Sequence, residues 1–82
     1  MKVVVKLHGV LRKHRPKDIP GGRHQLFELK LNDGTQIKEL VSLLGIESGM
    51  VAGSAVNGEV TSDDSQLYDA DEVSLFPPVA GG

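Results

Sequence analysis

Eighty-two residues with a formal net charge of −2, no cysteine and only three aromatic side chains, Phe27, Tyr68 and Phe76, make one folding unit with an aliphatic core, burying about 60% of the chain's surface. The lack of cysteine excludes disulfides, thiolate catalysis and cysteine-based zinc or Fe–S ligation, and makes the cytoplasm the expected compartment. The net charge provides no global field for phosphate backbones, and no apolar run approaches the ~18 residues of a membrane span, so neither nucleic acid nor membrane is an expected partner.

Residues 2–8 are rich in valine and place Val3, Val5 and Leu7 on one face at period two, which predicts a first strand. From residue 9 to residue 22 the apolar pattern fails. Pro16 and Pro20 forbid a long helix there, and Arg12, Lys13, His14, Arg15 and Lys17 crowd into a basic loop with a short helical turn around residues 10–14. Alternation resumes over residues 24–31, with Phe27, Leu29 and Leu31 on one face, until Asn32-Asp33-Gly34 ends a second strand antiparallel to the first.

Thr35 can cap a helix whose apolar stripe is Ile37, Leu40, Val41 and Leu44, and Gly45 stops it at C′. With Thr35 as cap, position 38 is Lys rather than Glu or Gln, so the capping box is incomplete. Residues 51–57 read as a weak strand ending in Asn57-Gly58, a strong hairpin signal, with Glu59-Val60-Thr61 as the returning arm. Asp63-Asp64-Ser65 is another turn, and Glu72–Phe76 forms the last strand.

Two strands, a helix and two or three further strands, without repeat or linker, define an α+β domain with the layout of a β-grasp: one mixed sheet packed on one main helix. Residues 1–76 form the β-grasp domain and residues 77–82 its flexible C-terminal tail. A ferredoxin-like sheet needs a second helix, for which residues 46–66 offer no periodic stretch. Short-range physics leaves the strand order open. Charge is divided along the chain, with eight Lys/Arg and two acids in residues 1–30 against seven acids and no Lys or Arg in residues 40–82. These are either solvated loop charges or two faces of opposite sign that meet partners.

Catalytic constellations are not visible. Gly-x-Ser-x-Gly is absent, and the glycines match neither a Walker loop nor a dinucleotide fingerprint. His8, His14 and His24 are spaced by six and ten residues, read as solvated loop histidines, and no metal site is expected. Asp63, Asp64, Asp69, Asp71 and Glu72 lack calcium-loop spacing and are read as turn chemistry. The chain is therefore not expected to be an enzyme on its own.

The end of the chain is the informative segment. Period two turns Val73 and Leu75 inward and Ser74 and Phe76 outward, which makes Phe76 a candidate partner anchor. Pro77-Pro78 stops the ladder because neither has an N–H, so the tail must leave the body. The six residues after Phe76 reach ~20 Å when extended, enough to enter another protein's active site. Gly81 and Gly82 make the thinnest possible chain, able to pass a narrow channel and present the α-carboxylate of Gly82 to a nucleotide.

Ala55-Val56-Asn57-Gly58, Leu67 followed by Asp69-Ala70-Asp71-Glu72-Val73, and Leu75-Phe76-Pro77-Pro78-Val79-Ala80-Gly81-Gly82 together resemble the small, sulfur-carrier subunit of molybdopterin synthase, a family of ubiquitin-like β-grasp proteins. The resemblance covers nearly the whole chain in element order. Where the family commonly has Asp-Gly-Asp-Glu-Val this chain has Ala70 for Gly, which predicts a turn without an obligatory positive φ. The long basic loop of residues 9–22 is less typical and could alter which partner is bound. The resemblance implies that a ubiquitin-activating-type adenylyltransferase uses MgATP to adenylate Gly82, which then becomes a thiocarboxylate. The loaded tail enters the large subunit of the synthase, in a two-plus-two complex, and gives its sulfur to the pterin precursor of the molybdenum or tungsten cofactor. Gly82 bears the sulfur, Gly81 permits threading, and Phe76, Pro77, Pro78 and Val79 contact the partner. The alternatives are a ubiquitin-like modifier joined through Gly82 to lysines, a sulfur carrier for another pathway such as thiamine or tRNA thiolation, and a binding module whose terminus is never activated.

Overall fold

Valine-rich alternation puts β1 (Lys2–Leu7) at the heart of a five-stranded sheet, beside β2 (Phe27–Lys30) and ahead of β3 (Gly53–Val56), β4 (Glu59–Thr61) and β5 (Glu72–Phe76) in the chain. This computed structural model describes residues 1–78. The strand order is β2-β1-β5-β3-β4. β1 and β5 run parallel, while β1–β2, β3–β4 and β3–β5 are antiparallel, so the sheet is mixed. With the single α-helix α1 (Ile37–Leu43) on one side, this is the ubiquitin-like β-grasp.

The inward phase of β1, β2 and β5 matches their apolar phase. Val3, Val5, Leu7, Phe27, Leu31, Val73 and Leu75 are buried together with Ile37, Leu40 and Val41 of α1, while Leu29 and Leu44 are half-buried at the margin. Each fully buried aliphatic side chain contributes roughly 1.5–3 kcal/mol. Leu11 and Leu67 join this core from outside the regular elements. Leu11 lies in a 3-10 turn at Gly9–His14, so the basic loop is anchored by an apolar side chain that the broken alternation concealed.

The helix begins one residue later than Thr35 predicts. The Thr35 hydroxyl is already donating to the Asn32 carbonyl at 2.7 Å, and Gln36 takes the N-cap position. The third helical position is then Glu39 rather than Lys38, and Glu39 Oε1 accepts the Gln36 N–H at 2.9 Å. The backbone N–H groups of Ile37 and Lys38 donate to the carbonyls of Ser65 and Asp63, both at 3.0 Å, which satisfies donors that a helix start leaves free. At the other end Gly45 adopts φ +75°. Its N–H reaches the Ser42 carbonyl at 3.0 Å and that of Ile46 reaches Val41 at 3.1 Å, a Schellman closure with both Val41 and Ile46 buried in the core.

β2 is shorter than its alternation predicts because residues 22–25 belong to the loop. The Gly22 N–H donates to Gln25 Oε1 at 2.7 Å. Arg15 organises this loop from within. It is 9% exposed, its Nη1 and Nη2 donate to the carbonyls of Ile19 at 2.6 Å and Pro20 at 2.8 Å, and its Nε donates to that of Gln25 at 3.5 Å. The guanidinium also lies 5.4 Å from the centre of the Phe27 ring, a cation–π arrangement. One of the loop's cations is thus a structural part, not a solvated charge.

Asn57 and Gly58 take φ of 52° and 85°, as a type I′ hairpin requires. Ala70 departs from expectation: its φ is +71°, so the turn does use the left-handed region, and alanine occupies it. The Ala70 N–H donates to the Lys2 carbonyl at 2.7 Å, a contact that holds the residue there.

Candidate functional site

The candidate site is the end of β5, where Phe76, Pro77 and Pro78 lie. Val79, Gly81 and Gly82, which the sequence places in the tail, fall outside the described residues. β5 is the central strand, and its last turns of pairing are complete on both sides: the His8 N–H donates to the Leu75 carbonyl at 3.2 Å and the Ala52 N–H to the Phe76 carbonyl at 2.9 Å. Phe76 closes the ladder, and the two prolines that follow cannot extend it.

Phe76 points away from α1 and is 39% exposed, the outward phase that period two predicts. Its ring stacks on His8, with centroids 4.3 Å apart and planes 18° from parallel. His8 is therefore not the solvated histidine expected from the sequence. Its Nε2 is shielded from solvent without a hydrogen-bond partner among the described residues. Burial, and then the charges of Lys6 and Arg12, hold the imidazole below its ordinary pKa, which favours the neutral ring that stacks.

Gly9 completes the exit. Its φ is +55°, and a Cβ built there would lie 3.0 Å from Pro77 Cγ. A glycine at this place both turns the chain out of β1 and lets Pro77 seat beside it. Beyond this corner the open face of the sheet carries Lys6, Ser74, Ala55 and Val60 in one cross-strand row, with Val60 90% exposed. Neither His8 nor Gly9 is identifiable as part of the exit from sequence. The signal is the parallel β1–β5 register, Leu7 opposite Leu75, which local patterns do not encode.

The other motif residues gather at the opposite end of β5. Asn57 Nδ2 donates to Asp71 Oδ1 at 2.9 Å, Asp71 Oδ2 accepts the Tyr68 N–H at 2.8 Å, and Asn57 Oδ1 accepts the Glu72 N–H at 2.9 Å. Asp69 Oδ1 accepts the Lys2 N–H at 2.8 Å. These groups tie the β3–β4 hairpin and the start of β1 to β5 and thereby fix its register. They are a frame that positions the start of β5.

The chain is similar to known proteins over nearly its whole length. The chain aligns over 95% of its length, and 98% of theirs, with a putative molybdopterin converting factor subunit 1 from Pyrococcus furiosus, at 26% identity and a TM-score of 0.67. A chain of the complex of subunits 1 and 2 of molybdopterin-converting factor from Helicobacter pylori matches over 100% of both chains at 31% identity and a TM-score of 0.57. SAMP1 from Haloferax volcanii shares the fold over 100% of both chains, at 22% identity and a TM-score of 0.68. The model of the ThiS family matches residues 15–82, a span that takes in the Arg15 loop, the Asn57–Asp71 frame and the tail; the chain belongs to the ThiS family of ubiquitin-like sulfur carriers.

Proposed function

We propose that this protein is the sulfur-carrying cosubstrate of a molybdopterin synthase. The observation that carries the reading is the course of β5: the central strand ends at an exposed aromatic, and Pro77 leads the chain off the body beside Gly9. Whole-length identity to a chain of a converting-factor complex supports it. Phe76 with Pro77, Pro78 and Val79 engages the partner, Gly81 lets the tail pass a narrow channel, and Gly82 supplies the reacting carboxylate. A carboxylate is a poor acyl donor. In the adenylating partner, a Gly82 oxygen attacks the α-phosphorus of MgATP and pyrophosphate leaves. Hydrosulfide then attacks the acyl carbon and AMP departs, leaving the thiocarboxylate. In the large subunit the thiocarboxylate sulfur displaces an oxygen substituent of the pterin precursor, and water cleaves the acyl carbon–sulfur bond of the resulting thioester, which returns the terminus to a carboxylate and leaves the sulfur on the precursor.

The test is intact mass after incubation with ATP, an adenylyltransferase and a sulfur source. The expected result is the gain of one sulfur-for-oxygen exchange, lost when Gly82 is deleted. A Gly82-deleted chain that retained full function in a reconstituted synthase would sink the reading. Gly-Gly remnants on lysines of other proteins, without the exchange, would assign the chain to protein modification instead.

A further inference from the structure

The charges that the fold leaves over gather beside the exit. Arg15 is consumed inside the loop, whereas Arg12, Lys13, Lys17 and Arg23 are exposed. Among the described residues the ion pairs join the N-terminus to Asp33, Lys2 to Glu28 and Lys38 to Asp64. None of them involves these four cations. Arg12, Lys13 and Arg23 line two neighbouring shallow depressions, one reaching Gly9 and Val10 and the other reaching Pro16 and Lys17. The surface is held in shape. Gly21 has φ +123°, and a Cβ there would come within 2.6 Å of Arg15 Nη2 and 2.5 Å of Gln25 Oε1, so loop closure around Arg15 leaves no latitude. Because Gly9 also seats Pro77, the cationic surface borders the place where the tail leaves.

We propose that this surface, built on Arg12, Lys13 and Arg23, docks on an acidic protein surface beside the tail-receiving channel of the adenylating partner. The inference rests on the function proposed above. A protein is favoured over nucleic acid because, of the residues lining the depressions, only His24 carries a ring for a base to stack on. The chain as a whole also carries −2. The adenylating partner is favoured over the large subunit because the free, unloaded chain meets it first in the proposed cycle. Rim charges raise association rates without prolonging the complex.

The experiment measures steady-state adenylation, read as pyrophosphate release, with the full chain as the varied substrate of its own adenylyltransferase. The triple variant Arg12→Glu, Lys13→Glu, Arg23→Glu is compared with a charge-keeping Arg12→Lys, Lys13→Arg, Arg23→Lys. At low ionic strength the reversal lowers kcat/KM about tenfold or more, with kcat within about twofold and the melting temperature unchanged. The difference closes at high ionic strength, and the charge-keeping variant behaves as the native chain. A reversed chain with native kcat/KM and native salt dependence overturns the docking proposal and leaves the carrier function standing. A native chain that is never adenylated overturns both. Retention of single-stranded RNA by the native chain but not by the reversed one assigns the surface to nucleic acid and overturns the proposal.

Discussion

The two ends of β5 are held by different means. At Glu72 the strand is gripped by side chains: Asn57 donates to Asp71, Asp71 accepts the Tyr68 N–H and Asn57 accepts the Glu72 N–H. At Phe76 it is held by backbone bonds from His8 and Ala52, a stacked ring and one proline against a glycine. Charge-assisted hydrogen bonds are directional and fix position, whereas a half-exposed ring stack tolerates exchange of its outer face for a partner. The end at Glu72 therefore sets the register of the strand, whose exposed aromatic lies where fixation is lightest.

The comparison breaks most readily at Asp71. Asp71→Ala removes the acceptor for two hydrogen bonds and should cost about 2–3 kcal/mol, lowering the melting temperature by roughly 10 °C or more, with partner affinity of the folded chain unchanged. A loss below about 0.5 kcal/mol would show that the frame does not hold β5. Phe76→Ala should show the reverse balance: about 1 kcal/mol of stability, but about tenfold or more in affinity for the large subunit by calorimetry. Unchanged affinity with a large fall in stability would put Phe76 with the core.

Ala70→Gly sharpens the frame further. Relief of a left-handed alanine exceeds the added freedom of an unfolded glycine, so the substitution should stabilise by about 0.5–1 kcal/mol in urea denaturation. Destabilisation would mean that the Ala70 methyl contributes contacts of its own.

The smallest effect is at His8. Its folded pKa lies below the ordinary 6.5, so the unfolded chain binds the proton more readily. The stability due to the neutral stacked ring is present above that ordinary value and is lost as pH falls from it through the lowered folded value. Melting temperature should therefore decline below neutrality more steeply for the native chain than for His8→Gln. Parallel curves would separate the ring stack from the titration.

Much of this was legible in the chain. Val3, Val5 and Leu7, the Ile37–Leu40–Val41 stripe, Gly45 and the Asn57-Gly58 turn are local signals, and each has a local cause. The outward phase of Phe76 was legible for the same reason. What was not legible depends on register or on competition. The parallel pairing of β1 with β5 brings His8 to Phe76 from the far end of the chain. Thr35 lost the cap position because its hydroxyl serves the preceding turn, which passed the role to Gln36 and Glu39. Arg15 reads as one more loop cation until its carbonyl acceptors are known, and Ala70 occupies a conformation that its residue type disfavours.

The central place of β5 also has a consequence for biogenesis. In synthesis from the N-terminus, β1–β2 and β3–β4 are each complete before residues 72–76 emerge, but the two pairs are joined in the ladder only through β5. The sheet is thus a lock whose last-made part is its bolt. Folding must await long-range pairing and is correspondingly slow, and a chain interrupted before Glu72 lacks the strand that joins the two hairpins into one ladder. The strand that closes the lock is also the one that brings Phe76 to His8 and Pro77 to Gly9, so that corner forms only when the sheet does.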